Sequence, residues 1–190
     1  MERATADRGV ESGNVIVIIA GPSGSGKTTI GTRLATRLGW PFADADTFHS
    51  AAAIAKMHRG EPLTDADRWP WLHAIGAWMD EEIAAGHAAV VTCSALRREY
   101  RDALLGGRPE ARLVYLAEDR DMLTRHLAGR EGHFFPPDLL DSQLAAQDVP
   151  HGEPQVLVVT PVGSPADTVA AIVAQLWPAG PPAAGAPGPA

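Results

Sequence analysis

A glycine-rich segment, Gly21–Thr28, holds the residues of this chain best suited to binding phosphate. It has the form G-x-x-x-x-G-K-T, the P-loop pattern, in which glycines let successive backbone N–H groups converge on phosphate oxygens. An apolar run precedes the segment and a helical pattern follows it, so the free N–H groups at a helix start would also face the phosphates. We expect Lys27 to reach the β- and γ-phosphates of a nucleoside triphosphate and Thr28 to ligate Mg²⁺. The predicted nucleotide-binding residues of this region are Gly21, Ser23, Gly24, Ser25, Gly26, Lys27, Thr28 and Thr29.

Two carboxylates, Asp44 and Asp46, come directly after a short strand pattern. Beside a P-loop, one carboxylate would hold water on Mg²⁺ and the other would accept the proton of an attacking hydroxyl. We favour Asp46 as the base or substrate-orienting residue and Asp44 as the second carboxylate, on the metal side. Spacing alone is equally consistent with a helix N-cap flanked by solvated acids. His49 is a further candidate substrate ligand, and a helix-cap or surface role is its alternative.

The third predicted strand ends without an aspartate, in the sequence Thr92-Cys93-Ser94. Many P-loop hydrolases place a Mg²⁺-binding aspartate at that point, so its absence counts against a GTPase or a motor-type ATPase and favours a small-molecule kinase. Ser94 either offers a hydroxyl to the cleft or caps the next helix. Cys93 is the single cysteine, which excludes an intramolecular disulfide, and we expect it to pack as a small apolar residue.

Basic residues from several parts of the chain are candidates for binding anions. Arg130 lies in a short segment flanked by glycine and proline, about residues 129–137, which is typical of a lid. Closure of a lid would bring Arg130 onto the transferred phosphate and would exclude water. An anionic acceptor would need further arginines, because a planar guanidinium suits a carboxylate, and a solvated helix face is the alternative for each. The candidates are Arg59, Arg68, Arg97 and Arg101.

Strand and helix patterns alternate between these clusters. The alternation predicts an α/β fold, a P-loop NTPase-type three-layer sandwich whose five-stranded parallel sheet has helices on both faces and a short lid. Ligands of such sheets bind beyond the carboxyl ends of the strands, so the P-loop and the polar clusters should converge on one cleft. The predicted strands are residues 14–20, 41–44, 87–92, 112–116 and 155–160. The predicted helices are residues 27–38, 50–58, 65–85, 96–105, 119–128, 138–146 and 165–177.

Length and composition limit the remaining classes of protein. The 190 residues fit one domain, which we place at 14–177, between a disordered arm, 1–13, and a disordered tail of proline, alanine and glycine, 178–190. A net charge of −7 argues against a nucleic-acid partner. The apolar runs are far shorter than a membrane span, and the N-terminus lacks the apolar core of a signal peptide. We therefore expect a cytoplasmic protein with no membrane partner.

Several of these segments, in this order, resemble the gluconokinases, a family of P-loop kinases of the shikimate-kinase-like type. Besides the P-loop, the most specific matches are residues 60–68, which read G-E-P-L-T-D-A-D-R, and residues 132–135, which read G-H-F-F. The resemblance covers about residues 14–160. It implies ATP-dependent phosphorylation of D-gluconate at its 6-hydroxyl, giving 6-phospho-D-gluconate, with Mg²⁺, a lid and commonly a homodimer.

The residue patterns and the resemblance together predict roles for individual residues. The resemblance itself implies Thr28 for Mg²⁺, Asp46 as the base, and Arg68, the Ser94 region and Arg101 for the sugar acid. The implied catalytic residues are Lys27, Asp46 and Arg130, and Arg125 is an additional nucleotide ligand beside the lid. Metal ligation falls to Thr28 and Asp44. The candidate substrate ligands are Asp44, Asp46, His49, Arg68, Ser94, Arg97, Arg101 and His133.

Three alternatives remain open from the sequence. A kinase for another small acid, such as shikimate, would keep the mechanism, although the Gly-rich turn that shikimate kinases carry after the third strand is replaced here by Cys93-Ser94-Ala95-Leu96. A nucleoside-monophosphate kinase would prefer more arginines aimed at an acceptor phosphate. A nucleotide-binding regulator without turnover is the third, and the intact catalytic set argues against it.

Overall fold

Five short strands form one parallel sheet in the computed structural model, which describes residues 15–118, 120–128, 144–145 and 147–182. The strands are β1 (Ile16–Ala20), β2 (Phe42–Asp44), β3 (Ala89–Cys93), β4 (Ala111–Leu116) and β5 (Val156–Val159). Their order is β2-β3-β1-β4-β5, and every neighbouring pair is parallel. The predicted parallel five-stranded sheet is confirmed, and β1, which leads into the P-loop, lies at its centre.

Helices follow the strands as the sequence patterns predicted. They are α1 (Lys27–Leu38), α2 (Ala51–His58), α3 (Asp65–Ala84), α4 (Arg98–Leu105), α5 (Arg120–Ala128) and α6 (Pro165–Leu176), with one 3-10 turn at Ala45–Phe48. The predicted arm, the lid, the helix over 138–146 and tail residues 183–190 lie wholly or largely outside the described residues. Among the described helices, none is long and apolar enough to cross a membrane.

Strand β1 is buried on both faces, which is why it reads as an unbroken apolar run. Its alternate residues face two separate hydrophobic clusters. Ile16 and Ile18 belong to the cluster that contains Trp71 and Ile75 of α3. On the opposite face, Val17 and Ile19 pack with side chains from α1 and α6, which include Ile30, Leu34 and Ile172. The sheet is thus the middle layer of three, and both outer layers hold the strand that carries the P-loop.

Helix α1 comes close to the sheet at Gly31. A Cβ at this position would lie 2.9 Å from Cε2 of Phe42 and 3.0 Å from Cγ2 of Thr92. We expect Gly31→Val to lower the free energy of unfolding by about 1–3 kcal/mol, since a branched side chain would push the helix off the sheet. Denaturant unfolding measures this change. Thr32→Val, at the adjacent exposed position, is the matched control, and equal midpoints for the two variants would contradict the close packing.

The segment between α2 and α3 is fixed by one carboxylate. Asp67 accepts hydrogen bonds from the backbone N–H of Thr64 at 2.9 Å and from its hydroxyl at 2.7 Å. Lys56 of α2 donates to both oxygens of the same carboxylate, at 2.7 and 2.8 Å. The hydrogen bond from Lys56, followed by those from Thr64, lowers the pKa of Asp67 to about 2. This arrangement ties the start of α3, with Asp65 and Arg68, to the preceding helix.

Candidate active site

The P-loop connects the buried end of β1 to the first turn of α1. Gly21, Gly24 and Gly26 have φ angles of +141°, +88° and +82°, which side chains rarely tolerate. At Gly21 a Cβ would also lie 2.8 Å from the carbonyl oxygen of Leu116. Gly26 is the N-cap of α1 and supplies no side-chain cap, so the first N–H groups of the helix have no cap side chain and suit an anionic ligand.

Lys27 and Thr28 occupy the end of this loop, where the sequence pattern places them. The amine of Lys27 donates to the carbonyl oxygen of Pro22 at 2.9 Å, within the loop itself. The hydroxyl of Thr28 is exposed and donates to Oδ2 of Asp44 at 3.3 Å. The P-loop and the carboxylate at the end of β2 therefore meet, as expected for polar residues at the carboxyl edge of a parallel sheet.

Asp44 acts as a cap and contacts the P-loop with the same carboxylate. Its Oδ1 accepts from the backbone N–H of Asp46 at 3.1 Å, and its backbone carbonyl accepts from the Thr47 hydroxyl at 2.6 Å. It is the N-cap of the 3-10 turn, which confirms the capping interpretation of its spacing, while its role at a metal stays a prediction. Asp46 is the second residue of that turn, and its side chain is exposed, so a ligand in the cleft could contact it.

His49 lies flat against Trp71 at the end of the same turn. The two ring centroids are 4.5 Å apart with an interplanar angle of 9°. Trp71 is fixed in turn by a 2.7 Å hydrogen bond from its Nε1 to the carbonyl oxygen of Ala45. Burial lowers the pKa of His49, and the charge of Asp46 opposes that shift. The imidazole is therefore neutral near pH 7.

The lowered pKa of His49 gives a testable dependence of stability on pH. The unfolded chain binds this proton more tightly than the folded chain, so the free energy of unfolding falls as the pH drops through the ordinary value of 6.5. His49→Phe keeps an aromatic ring on Trp71 and removes the titration. We expect denaturant unfolding to show a smaller loss of stability for this variant than for the unaltered protein between pH 7.5 and about pH 5.5. If the free energy of unfolding changed with pH in the same way for both proteins, the pKa of His49 would not change on folding.

The loop after β3 contacts the P-loop directly. The carbonyl oxygen of Ser94 accepts from the backbone N–H of Gly21 at 3.2 Å. Ala95 has a φ of +39°, and α4 then starts at Arg98 with Arg97 as its N-cap. Ser94 is half-buried beside the P-loop and is not the cap of that helix, which leaves the cleft as the predicted place for its hydroxyl.

Arg68 and Arg97 converge on one aromatic residue, Tyr100. Arg68 donates to the Tyr100 hydroxyl at 3.3 Å, and the Arg97 guanidinium lies 5.4 Å from the ring centroid. The Tyr100 hydroxyl donates to Asp65 at 2.6 Å, and Arg97 donates to the same carboxylate at 3.0 Å. The hydrogen bond from Tyr100 and the nearby arginines lower the pKa of Asp65. The motif around Arg68 marks this region, but no sequence pattern assigns a role to Asp65 or Tyr100.

Arg101 differs from the other candidate arginines, because its side chain has no exposure to solvent. Its Nε and Nη2 donate to the two oxygens of Glu153 at 2.8 and 2.5 Å. Its Nη1 donates to the carbonyl oxygens of Ala95, Leu96 and Asp148, at 3.4, 3.2 and 2.8 Å. These donors cannot reach a substrate without breaking internal bonds, so the structure does not support Arg101 as a substrate ligand.

Three predicted site residues have no described side chain. Arg125 lies in α5, but only its backbone is described. Arg130 and His133 lie outside the described residues.

Arg59 pairs with Glu61 at 2.6 Å, and both side chains are about half exposed, as the alternative of a solvated charge had it.

The P-loop, the carboxylates after β2 and the lack of an aspartate at the end of β3 define a P-loop kinase for a small molecule. A family model described as an AAA domain matches residues 16–150. The gluconokinase of Gluconobacter oxydans is 47% identical over 144 residues, which are 76% of this chain and 81% of that protein.

Solved structures agree with that relationship. An unliganded sugar kinase of a Janibacter species has a TM-score of 0.79 at 41% identity, over 86% of this chain and 94% of its own. A gluconokinase of Sinorhizobium meliloti has a TM-score of 0.76 at 40% identity, over 86% and 91%. The chain belongs to the gluconokinase family, and it is a kinase.

Proposed function

We propose that this kinase transfers the γ-phosphoryl group of ATP to the 6-hydroxyl of D-gluconate, giving 6-phospho-D-gluconate. The observation that carries the proposal is the 3.3 Å contact between Thr28 of the P-loop and Asp44, with the exposed Asp46 two residues further. This contact joins a phosphate-binding loop to a pair of carboxylates at one edge of the sheet. The relatives named above support gluconate over shikimate or a nucleoside monophosphate as the acceptor.

Residues of the P-loop hold the nucleotide in this mechanism. Backbone N–H groups from Ser23 to Gly26 and at the start of α1 bind the phosphates, and Lys27 leaves the Pro22 carbonyl to reach the β- and γ-oxygens. Thr28 and Asp44 are oxygen donors of the kind that suits hydrated Mg²⁺. When bound, Mg²⁺ neutralises charge on the β- and γ-phosphates. Ser23, Thr29, Arg125 and Arg130 remain proposed nucleotide contacts.

Asp46 is the proposed proton acceptor for the 6-hydroxyl. Its carboxylate is exposed on the 3-10 turn, while its backbone is held by Asp44 at 3.1 Å. Phosphoryl transfer is catalysed mainly by positioning and by electrostatic stabilisation, so a base on a fixed turn meets the requirement. His49 lies at the end of the 3-10 turn, and Ser94 lies beside the P-loop. Both are proposed to bind hydroxyls of the sugar acid, with His133 as a further ligand.

Arg68 and Arg97 are the proposed ligands of the gluconate carboxylate. Both are partly exposed, and both face the carboxylate of Asp65, at 3.6 and 3.0 Å. A guanidinium that already faces one carboxylate has the geometry to bind another. Asp65 would then share these two cations with the substrate, while its hydrogen bond from Tyr100 keeps it in place.

Release of ADP by the purified protein with Mg-ATP tests this function. We would compare D-gluconate, shikimate, AMP and no acceptor, and would identify the product by phosphorus and carbon NMR. Stimulation by gluconate alone, with phosphate on the terminal carbon, is the expected result. Stimulation by another acceptor would show that gluconate is not the substrate. Binding of ATP without release of ADP under any condition would favour a nucleotide-binding regulator without turnover.

The proposed ligation of Mg²⁺ by Asp44 is tested separately, by replacing this residue with asparagine. Asp44→Asn removes the negative charge beside Thr28, so we expect the Mg²⁺ concentration for half-maximal rate to rise by about tenfold. Titration of Mg²⁺ at fixed ATP measures this. Asp102→Asn, an exposed change on α4, should leave the titration unchanged. A normal Mg²⁺ requirement in Asp44→Asn would remove Asp44 from the metal site.

A cytoplasmic location and a homodimer also belong to this proposal. The location is proposed from the composition of the sequence, and the dimer is supported by the family resemblance. Light scattering in solution measures the mass of the assembly, and a monomer at working concentrations would contradict the dimer.

A further inference from the structure

Arg101 is the one charged residue that is fully buried in the described part of the chain. It joins three segments that are far apart in sequence: α4, the loop that follows β3, and residues 148–153 before β5. Glu153 balances its charge with both carboxylate oxygens, at 2.8 and 2.5 Å. A second link, from the N–H of Asp148 to the carbonyl oxygen of Leu96 at 2.9 Å, ties the last two segments together.

The loop that Arg101 contacts has an unfavourable backbone conformation, which its own residues do not stabilise. Ala95 has a φ of +39°, a conformation that costs free energy in any residue with a Cβ. The carbonyl oxygens of Ala95 and Leu96 both turn towards Arg101 and accept from its Nη1 at 3.4 and 3.2 Å. Surrounding contacts must maintain such a turn, and a guanidinium with several fixed donors can do so.

The same turn sets the place of two proposed functional groups. Directly before it, the carbonyl oxygen of Ser94 accepts from the N–H of Gly21, the first residue of the P-loop, at 3.2 Å. Two residues after it, Arg97 is the N-cap of α4 and faces Asp65. A change in the Ala95 turn would therefore move a proposed acceptor ligand and also the start of the P-loop.

We propose that Arg101 is a positioning residue for the kinase reaction, which holds the Ser94–Arg97 loop in the shape that acceptor binding requires. It acts through Ala95 and Leu96 and touches neither substrate. This inference rests on the proposed function for its acceptor measurement, and on the P-loop alone for its nucleotide measurement.

A second arginine provides a matched control. Arg108 donates through Nε and Nη2 to both oxygens of Asp80, at 2.6 and 2.7 Å. Its Nη1 donates to the carbonyl oxygens of Ala103 and Leu104, at 3.2 and 3.1 Å. The bonding pattern is similar to that of Arg101, with two carbonyl oxygens instead of three. Arg108, however, lies just past the end of α4, before β4, at the end of the sheet opposite the P-loop. Loss of Arg108 should therefore affect stability and leave the site in place.

The experiment compares Arg101→Lys with Arg108→Lys. A lysine amine is a point charge that cannot span Glu153 and three carbonyl oxygens, so both changes should lower the melting temperature. We expect Arg101→Lys to raise the KM for gluconate by about tenfold or more, since small displacements of positioning groups have large effects. The Kd for ATP, measured by calorimetry without acceptor, should rise by about threefold as the Gly21 contact loosens. Arg108→Lys should change neither by more than about twofold.

The milder pair, Glu153→Gln and Asp80→Asn, carries the comparison if Arg101→Lys does not fold. Glu153→Gln should raise the KM for gluconate, and Asp80→Asn should not. Equal effects of the two members of either pair, or an unchanged KM in the Arg101 and Glu153 variants, would show a role in stability alone and overturn the inference. If the unaltered protein does not phosphorylate gluconate, the proposed function fails, and the Kd for ATP still decides the role of Arg101.

Discussion

Replacing Lys27 with alanine is expected to reduce phosphoryl transfer by at least about 10³-fold while the protein stays folded. Lys27 donates to the carbonyl oxygen of Pro22 inside the loop, and its side chain is only partly buried. The cost of the change therefore falls on the transition state, in which negative charge spreads over the oxygens of the transferred group. Alanine leaves this charge without its nearest cation.

Release of ADP with saturating gluconate measures the loss, and thermal unfolding shows that the fold is kept. Arg37→Ala is the matched control, because it removes one positive charge from the exposed end of the same helix, α1. We expect the control to keep its full rate. Turnover by Lys27→Ala within tenfold of the unaltered protein would mean that the P-loop does not bind the transferred phosphate.

Replacing Asp46 with asparagine is expected to lower kcat by about 10²–10⁴-fold with little change in the affinity for ATP. An amide is nearly the same size as a carboxylate but cannot accept the proton of the 6-hydroxyl. The hydrogen bond between the backbone N–H of Asp46 and Asp44 does not involve the altered side chain, so the 3-10 turn should persist. The effect is then one on the chemical step.

Single-turnover kinetics and calorimetry separate these two quantities for Asp46→Asn. Asp102→Asn, which removes an exposed carboxylate from α4, should match the unaltered protein in both. A kcat for Asp46→Asn within threefold of normal would remove Asp46 from the role of base. A large rise in the Kd for ATP with a normal kcat would instead indicate that Asp46 binds the nucleotide.

The fold follows from local patterns that the sequence displays plainly. β1 is apolar at every position because both of its faces are buried, and α1 begins where the glycines of the P-loop end. The pattern does not set the order of the strands, which depends on pairings such as β1 with both β3 and β4. The start of α4 was predicted two residues early: Ala95 has a positive φ and the N-cap Arg97 is extended, so the helix begins at Arg98.

One contact within the candidate site was predictable from the expected topology of the sheet. The Thr28–Asp44 contact follows from the rule that polar residues after parallel strands meet at one edge. Arg101 shows the limit of that rule, since an arginine near the cleft in sequence can serve either a substrate or the protein. Its partner Glu153 is 52 residues further along the chain, and no local pattern connects the two. Asp65 was missed for a similar reason, because its partners come from α4.

The contact between Trp40 and Trp177 has a consequence for the order in which the molecule is made. The two rings meet edge to face at 5.7 Å, and Trp177 closes the face of β1 that α6 covers. A domain folds as a unit once its chain has emerged from the ribosome, and here α6, the last of the described helices, supports β1, the first of the described strands. Until residues 165–177 have emerged, the growing chain therefore contains the P-loop sequence without the complete packed core that holds the P-loop in place.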